Sequence, residues 1–148
     1  MRILFCLAGQ RVEEQWAKAA RLVDFRAHEV AILHVVDESL VPAADAAQRR
    51  GLPRGLRPER EAEMQRALEQ AGQEVIARAL AMAREAGVEA QGILRSGHPP
   101  AVILETARQF GAEVLILGRQ HPGLEGRILG GVSRFVVDQA PCTVLLLR

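Results

Sequence analysis

Short, continuous apolar runs alternate with stretches of helical period along the chain, and that rhythm restricts the fold more than any other feature of the sequence. Ile3-Leu4-Phe5-Cys6-Leu7 is the first run. After the turn Ala8-Gly9-Gln10, Val12, Trp16, Ala19, Ala20 and Val23 recur at spacings of three and four, with Glu13, Glu14, Lys18 and Arg21 between them. An apolar run suits a strand covered on both faces, and the spaced set is one face of an amphipathic helix. Residues 29–36 form a second buried strand closed by Asp37, so the opening is a β-α-β unit with a right-handed crossover.

The pattern then repeats with one interruption. Pro42, Gly51, Pro53, Gly55 and Pro58 break any long helix across residues 38–58, where Arg49, Arg50, Arg54 and Arg57, with Arg60 just beyond, make the chain locally basic. This stretch reads as an extended, solvated excursion with a short helical piece at 43–48. Residues 59–86 are helical, with Met64, Leu68, Ala71, Val75, Ala79 and Met82 as the core stripe and Gly87 as the stop. Gly72 inside it lowers helix propensity by about 1 kcal/mol relative to alanine. Residues 88–95 alternate partly and form an edge strand. A turn at 96–100 leads to a helix carrying Val102, Ile103, Ala107 and Phe110, ended by Gly111. Strand four is 114–117, a last helix runs to about Gln139, and 143–147 is a terminal strand. Strict alternation implies one α/β domain spanning 1–148: a doubly wound, five-stranded parallel sheet with four main helices on both faces, for which the strand order 3-2-1-4-5 is expected.

Composition excludes several function classes. Nineteen basic and 18 acidic residues leave no global field that would demand nucleic acid or an anionic membrane. With one Trp, four Phe and no Tyr, platforms for stacking single-stranded bases are not expected. No apolar run approaches the roughly 20 residues that span a bilayer, and the N-terminal run is too short for a signal peptide, so a cytoplasmic location is expected. Cys6 and Cys142 lack metal-ligand spacing and read as small buried hydrophobes.

Ligand binding is best argued from residues 118–133, where five of the 13 glycines fall between strand four and the last helix. Glycines let backbone N–H groups approach an anion, and a helix N-terminus adds unpaired donors and a partial positive charge. In the order 3-2-1-4-5 the crevice opens between strands one and four. It is lined by Leu7, Ala8, Gly9 and Gln10, by Gly118 and its loop, and by Val35, Val36 and Asp37 below. No P-loop, dinucleotide fingerprint or nucleophile elbow occurs. His28, His34, His98 and His121 show no metal-ligand pairing; His34, inside a strand, reads as a structural histidine. No set of nucleophile, base and orienter is present, so no enzyme is expected.

The order and wording of these motifs resemble the universal stress protein family over nearly the whole chain. The resemblance is carried by Leu33-His34-Val35-Val36-Asp37, Gly97-His98-Pro99, Ala112-Glu113-Val114-Leu115-Ile116-Leu117-Gly118, Gly130-Gly131-Val132-Ser133 and Ala140-Pro141-Cys142-Thr143-Val144-Leu145. It implies a stress-response protein of the α/β fold derived above, a homodimer through the last strand, and ATP or AMP as ligand. The implied contacts are Val35 toward adenine, and Gly118, Gly130, Gly131, Val132 and Ser133 toward ribose and phosphates. The chain departs from the family pattern at three residues and in one length, the loop aligned on Gly130 being one residue shorter than usual. Ala8 stands where ATP-binding members carry an aspartate, His121 stands at a glycine position, and Gly131 replaces a serine or threonine. Ser133 also reads as a helix N-cap. An alternative is a nucleotide-free dimeric interaction module that meets a protein partner through the 38–58 excursion. Last in order comes a slow ATP hydrolase, for which Asp37 and Glu125 are the only nearby acids.

Overall fold

The first apolar run becomes β1 (Arg2–Cys6), and its neighbours follow from what its two faces require. A computed structural model describes residues 1–9, 11–40, 58–118 and 131–148. The helical piece expected at 43–48, and Gln10, Arg119, His121, Glu125 and Gly130, lie outside the described residues. After β1 come α1 (Val12–Leu22), a 3-10 turn at Phe25–Ala27, β2 (Glu29–Asp37) and a second 3-10 turn at Glu38–Leu40. Then follow α2 (Pro58–Glu85), β3 (Ala90–Gly97), α3 (Pro99–Phe110), β4 (Val114–Leu117), α4 (Gly131–Gln139) and β5 (Thr143–Leu146). All described strand pairs are parallel, as the alternation predicts, and the sheet order is the expected β3-β2-β1-β4-β5.

Side-chain alternation along the strands divides the interior into two layers. Ile3, Phe5, Val30, Ile32 and Ile116 face one side, where Val12, Trp16 and Ala19 of α1 and Val75, Ile76, Ala79 and Ala83 of α2 cover them. Leu4, Cys6, Ala31, Leu33, Leu115 and Leu117 face the other, beneath Ile103, Leu104 and Ala107 of α3 and Val136 of α4. One of the two layers would be left wet if the helices were all on one side, so the doubly wound arrangement follows from strands that are apolar on both faces. The few aromatics are concentrated in the first layer: Trp16 stacks on Phe25 with centroids 5.1 Å apart and on Phe5 at 6.2 Å. Such stacks contribute about 0.5–1.5 kcal/mol beyond area burial.

The core stripe of α2 differs from the spacing-based expectation. Val75 and Ala79 are buried, but they are joined by Ile76 and Ala83, while Met64 and Ala71 are exposed. Over 28 residues the helix outruns the sheet, so its first turns have no strand to cover. Helix ends behave as the turn residues require. α3 stops at Gly111, whose φ of 68° lies in the left-handed region open to glycine, and the Gly111 N–H caps the Ala107 and Arg108 carbonyls.

Candidate ligand crevice at the sheet switch point

The strands end at unequal heights, and this opens a gap at the carboxyl edge of the sheet. β2 continues to Asp37, whereas the β1–β2 register stops at Cys6 with Leu33 and is extended by one bond, Leu7 N–H to the Leu33 carbonyl at 2.8 Å. On the other side, Gly118 N–H donates to the Cys6 carbonyl at 3.2 Å and Leu147 N–H to the Leu117 carbonyl at 3.0 Å. Beyond those bonds β1 gives way to the turn into α1, and β4 to the segment leading to α4. Strand order reverses between β1 and β4, so the gap is the topological switch point.

Val35 sits where β2 has outrun β1. Residues 34–37 pair with β3 from Leu94 to Gly97, and no described strand pairs with them on the other edge. Peptide groups alternate between the two edges of a strand. Leu33 turns its carbonyl toward β1, so Val35, two residues on, directs its N–H and C=O toward the same edge, above the end of β1. Its side chain is half-buried and packs against the second layer, as does that of Val132 in the first turn of α4. Gly118 is buried at the end of β4. Gly131 opens α4, and a Cβ there would meet nothing within 4 Å. Ser133 is half-buried at the third helical position, so α4 does not start from it and the N-cap reading of Ser133 is corrected. Helix N-termini leave their first N–H groups unpaired within the helix, and those of Gly131, Val132 and Ser133 are of this kind.

One residue at the crevice escaped the spacing argument. Gln15 lies on the apolar stripe of α1 between Val12 and Ala19 and is only 6% exposed. Its Oε1 accepts from Ala8 N–H at 3.1 Å, while Nε2 donates to the Ala8 carbonyl at 3.1 Å and to the Arg11 carbonyl at 3.4 Å. A Cβ added to Gly118 would overlap Oε1 of Gln15 and stand 2.7 Å from its Cδ. The available signal was a lone amide at a core-facing helical position, which needs polar partners if it is buried. Arg11, just before α1, takes φ 57° and ψ 43°, the left-handed conformation that completes the tight turn.

The remaining polar groups have structural work. His34 is half-buried, and its Nδ1 lies 3.1 Å from the Leu7 carbonyl, so the ring carries its proton on Nδ1 to donate there. Asp37 accepts from Ser39 N–H at 2.9 Å and from Ser39 Oγ at 2.6 Å. Cys6 is buried one residue below the crevice. Burial pushes its thiol far above the ordinary thiol range, with a smaller contribution from Cys142. His98 stands exposed before α3 and makes no side-chain cap. Among the described residues no group of three or more His, Cys, Asp or Glu could hold a metal ion, and no helix is long and apolar enough to cross a membrane.

Residues 1–148 match the profile of the universal stress protein family. The chain belongs to the universal stress protein family. As a member it is 28% identical over 151 residues to a universal stress protein of Methanothermobacter thermautotrophicus, across 99% of this chain and 94% of that one. Its fold is also that of the universal stress protein UspA of Lactobacillus plantarum, with a TM-score of 0.76, 18% identity, and coverage of 100% and 97% of the two chains. A universal stress protein family protein of Arabidopsis thaliana, solved with AMP bound, superimposes with a TM-score of 0.64 at 19% identity, covering 99% and 90%.

Proposed function

We propose that this universal stress protein family member is a stress-response protein that binds an adenine nucleotide, ATP or AMP, in the crevice between the carboxyl ends of β1 and β4. The observation that carries the reading is the uncovered edge of β2 at Val35. A peptide N–H and C=O side by side match the acceptor N1 and the N6 amino donor of adenine. The Val35 and Val132 side chains offer apolar surface on the same layer. Phosphates belong at the first turn of α4, where the Gly131, Val132 and Ser133 N–H groups and the helix dipole favour an anion. Gly118, and Gly130 by the family resemblance, complete the proposed contact set. The AMP held by the Arabidopsis thaliana relative supports the ligand class.

Ala8 supplies no side-chain acceptor at the crevice wall. One hydrogen bond to a charged group is worth about 1.5–3 kcal/mol, so the affinity falls roughly ten- to hundredfold below that of a crevice with a carboxylate there. Asp37 is already committed to Ser39, which argues against a hydrolase. Nucleotide analysis of heat-denatured protein, together with calorimetric titration with ATP and AMP, tests the proposal. Carried-over nucleotide or saturable heat is expected. Absence of both at millimolar ligand would refute it.

A second reading, a nucleotide-free dimeric module, draws on β5. Among the described strands it pairs with β4 alone, and its other edge is a template for a second copy of this chain. Both readings include a homodimer through β5; they part on whether the crevice is occupied.

A further inference from the structure

We propose that Gln15 is the positioning residue of the crevice: its carboxamide ties the turn after β1 to the first residue after β4 and so sets the gap that the nucleotide enters. The proposal rests on the nucleotide reading of this crevice. A buried amide is costly unless its donor and acceptor are both used. Here Gln15 uses both on the Ala8 peptide, accepting from Ala8 N–H and donating to Ala8 C=O, both at 3.1 Å, and donates also to the Arg11 carbonyl at 3.4 Å. On its other side the same group lies against Gly118, so closely that a methyl there would overlap Oε1. Gly118 in turn is bonded through its N–H to Cys6 at the end of β1. One side chain from α1 therefore touches both walls of the gap.

The chemistry of the clasp is selective. Holding an N–H and a C=O of one residue takes a group that is donor and acceptor at once. A carboxamide qualifies and so does a protonated carboxylic acid, whereas a carboxylate would face the Ala8 carbonyl with like polarity. A residue that merely filled space would affect stability when replaced but would leave the affinity of the folded protein for its ligand unchanged.

The test titrates AMP calorimetrically into the full chain as wild type, Gln15→Ala and Gln15→Glu. Both variants are expected to bind AMP at least about tenfold more weakly near neutral pH. Gln15→Glu should regain affinity relative to wild type between about pH 7 and pH 5, because a buried carboxyl takes up its proton above the ordinary value near 4.3. Taking the ratio to wild type at each pH removes the titration of the phosphate. If wild type binds and Gln15→Ala matches it within twofold, the positioning role is overturned and the nucleotide reading stands. If Gln15→Ala does not fold, Gln15→Glu decides: a ratio to wild type that does not change with pH overturns the proposal. If wild type itself takes up no AMP, the nucleotide reading fails and the positioning role falls with it. Amide exchange without ligand tests the clasp itself. Ala8 N–H should be protected in wild type and fast in Gln15→Ala, and equal rates would overturn the proposal whatever the calorimetry gives.

Discussion

At Gly118 a glycine motif and a packing constraint coincide, and they can be separated. Gly118 is not among the described glycines with positive φ, so alanine is allowed by its backbone. The obstacle is Gln15, whose Oε1 and Cδ occupy the space a Cβ needs. Overpacking of this kind typically costs about 1–3 kcal/mol. Gly118→Ala should therefore lower the free energy of denaturant unfolding by that amount in wild type and by much less in a Gln15→Ala background. An additive double mutant would show that the two side chains do not meet. Cys6 gives a second prediction at this scale. With its thiol buried and held far up in pKa, it stays protonated and shielded in the folded state. A disulfide reagent at mildly alkaline pH should leave Cys6 unlabelled in native protein and label it on unfolding. The Cys142 thiol, half-buried and also raised by desolvation, should react first but more slowly than a free cysteine.

Among the elements, α2 shows how tertiary contact overrides local preference. Gly72 costs the helix about 1 kcal/mol against alanine. A Cβ there would come within 2.8 Å of Leu94 Cδ1, 3.1 Å of Val36 Cγ2 and 3.2 Å of His34 Cδ2, so the glycine lets α2 settle onto β2 and β3. Gly72→Ala should consequently fail to return the 1 kcal/mol that propensity alone promises, and thermal unfolding should show no gain. Elements with period-specific patterns were the legible part of the sequence. Residues 114–117 and the stop at Gly111 came out where spacing and turn chemistry put them. The α2 stripe was half right because periodicity tells which face is apolar but not how far the sheet extends beneath it. The partners of Gln15 were illegible for a different reason. They are the backbone groups of Ala8, seven residues away across a left-handed turn at Arg11, and no side-chain pattern encodes a peptide as a partner.

For the whole molecule, the described sheet ends in two edge strands of unequal length, β3 and β5. β3 runs eight residues beside β2 with α2 packed over both, whereas β5 is four residues long and ends the sheet beyond β4. The Leu147 N–H bonds inward to Leu117, so by alternation Leu145 and Thr143 also face β4, and the peptide groups of Val144 and Leu146 face outward. An edge with unpaired donors and acceptors and a half-buried apolar side-chain row is a pairing template unless something covers it. A second copy of the chain, adding its own β5, would use those groups and extend the sheet. Val144→Pro isolates the main-chain contribution. It removes an outward N–H that β4 does not use, keeps a side chain of similar bulk, and is tolerated on an edge strand. Sedimentation equilibrium should give a dimer for wild type and a monomer for Val144→Pro, with the far-ultraviolet dichroism of the two alike. A Val144→Pro chain that remains dimeric would place the contact elsewhere on the surface. A wild type that sediments as a monomer would leave the β5 edge unpaired and remove the dimer from both functional readings at once.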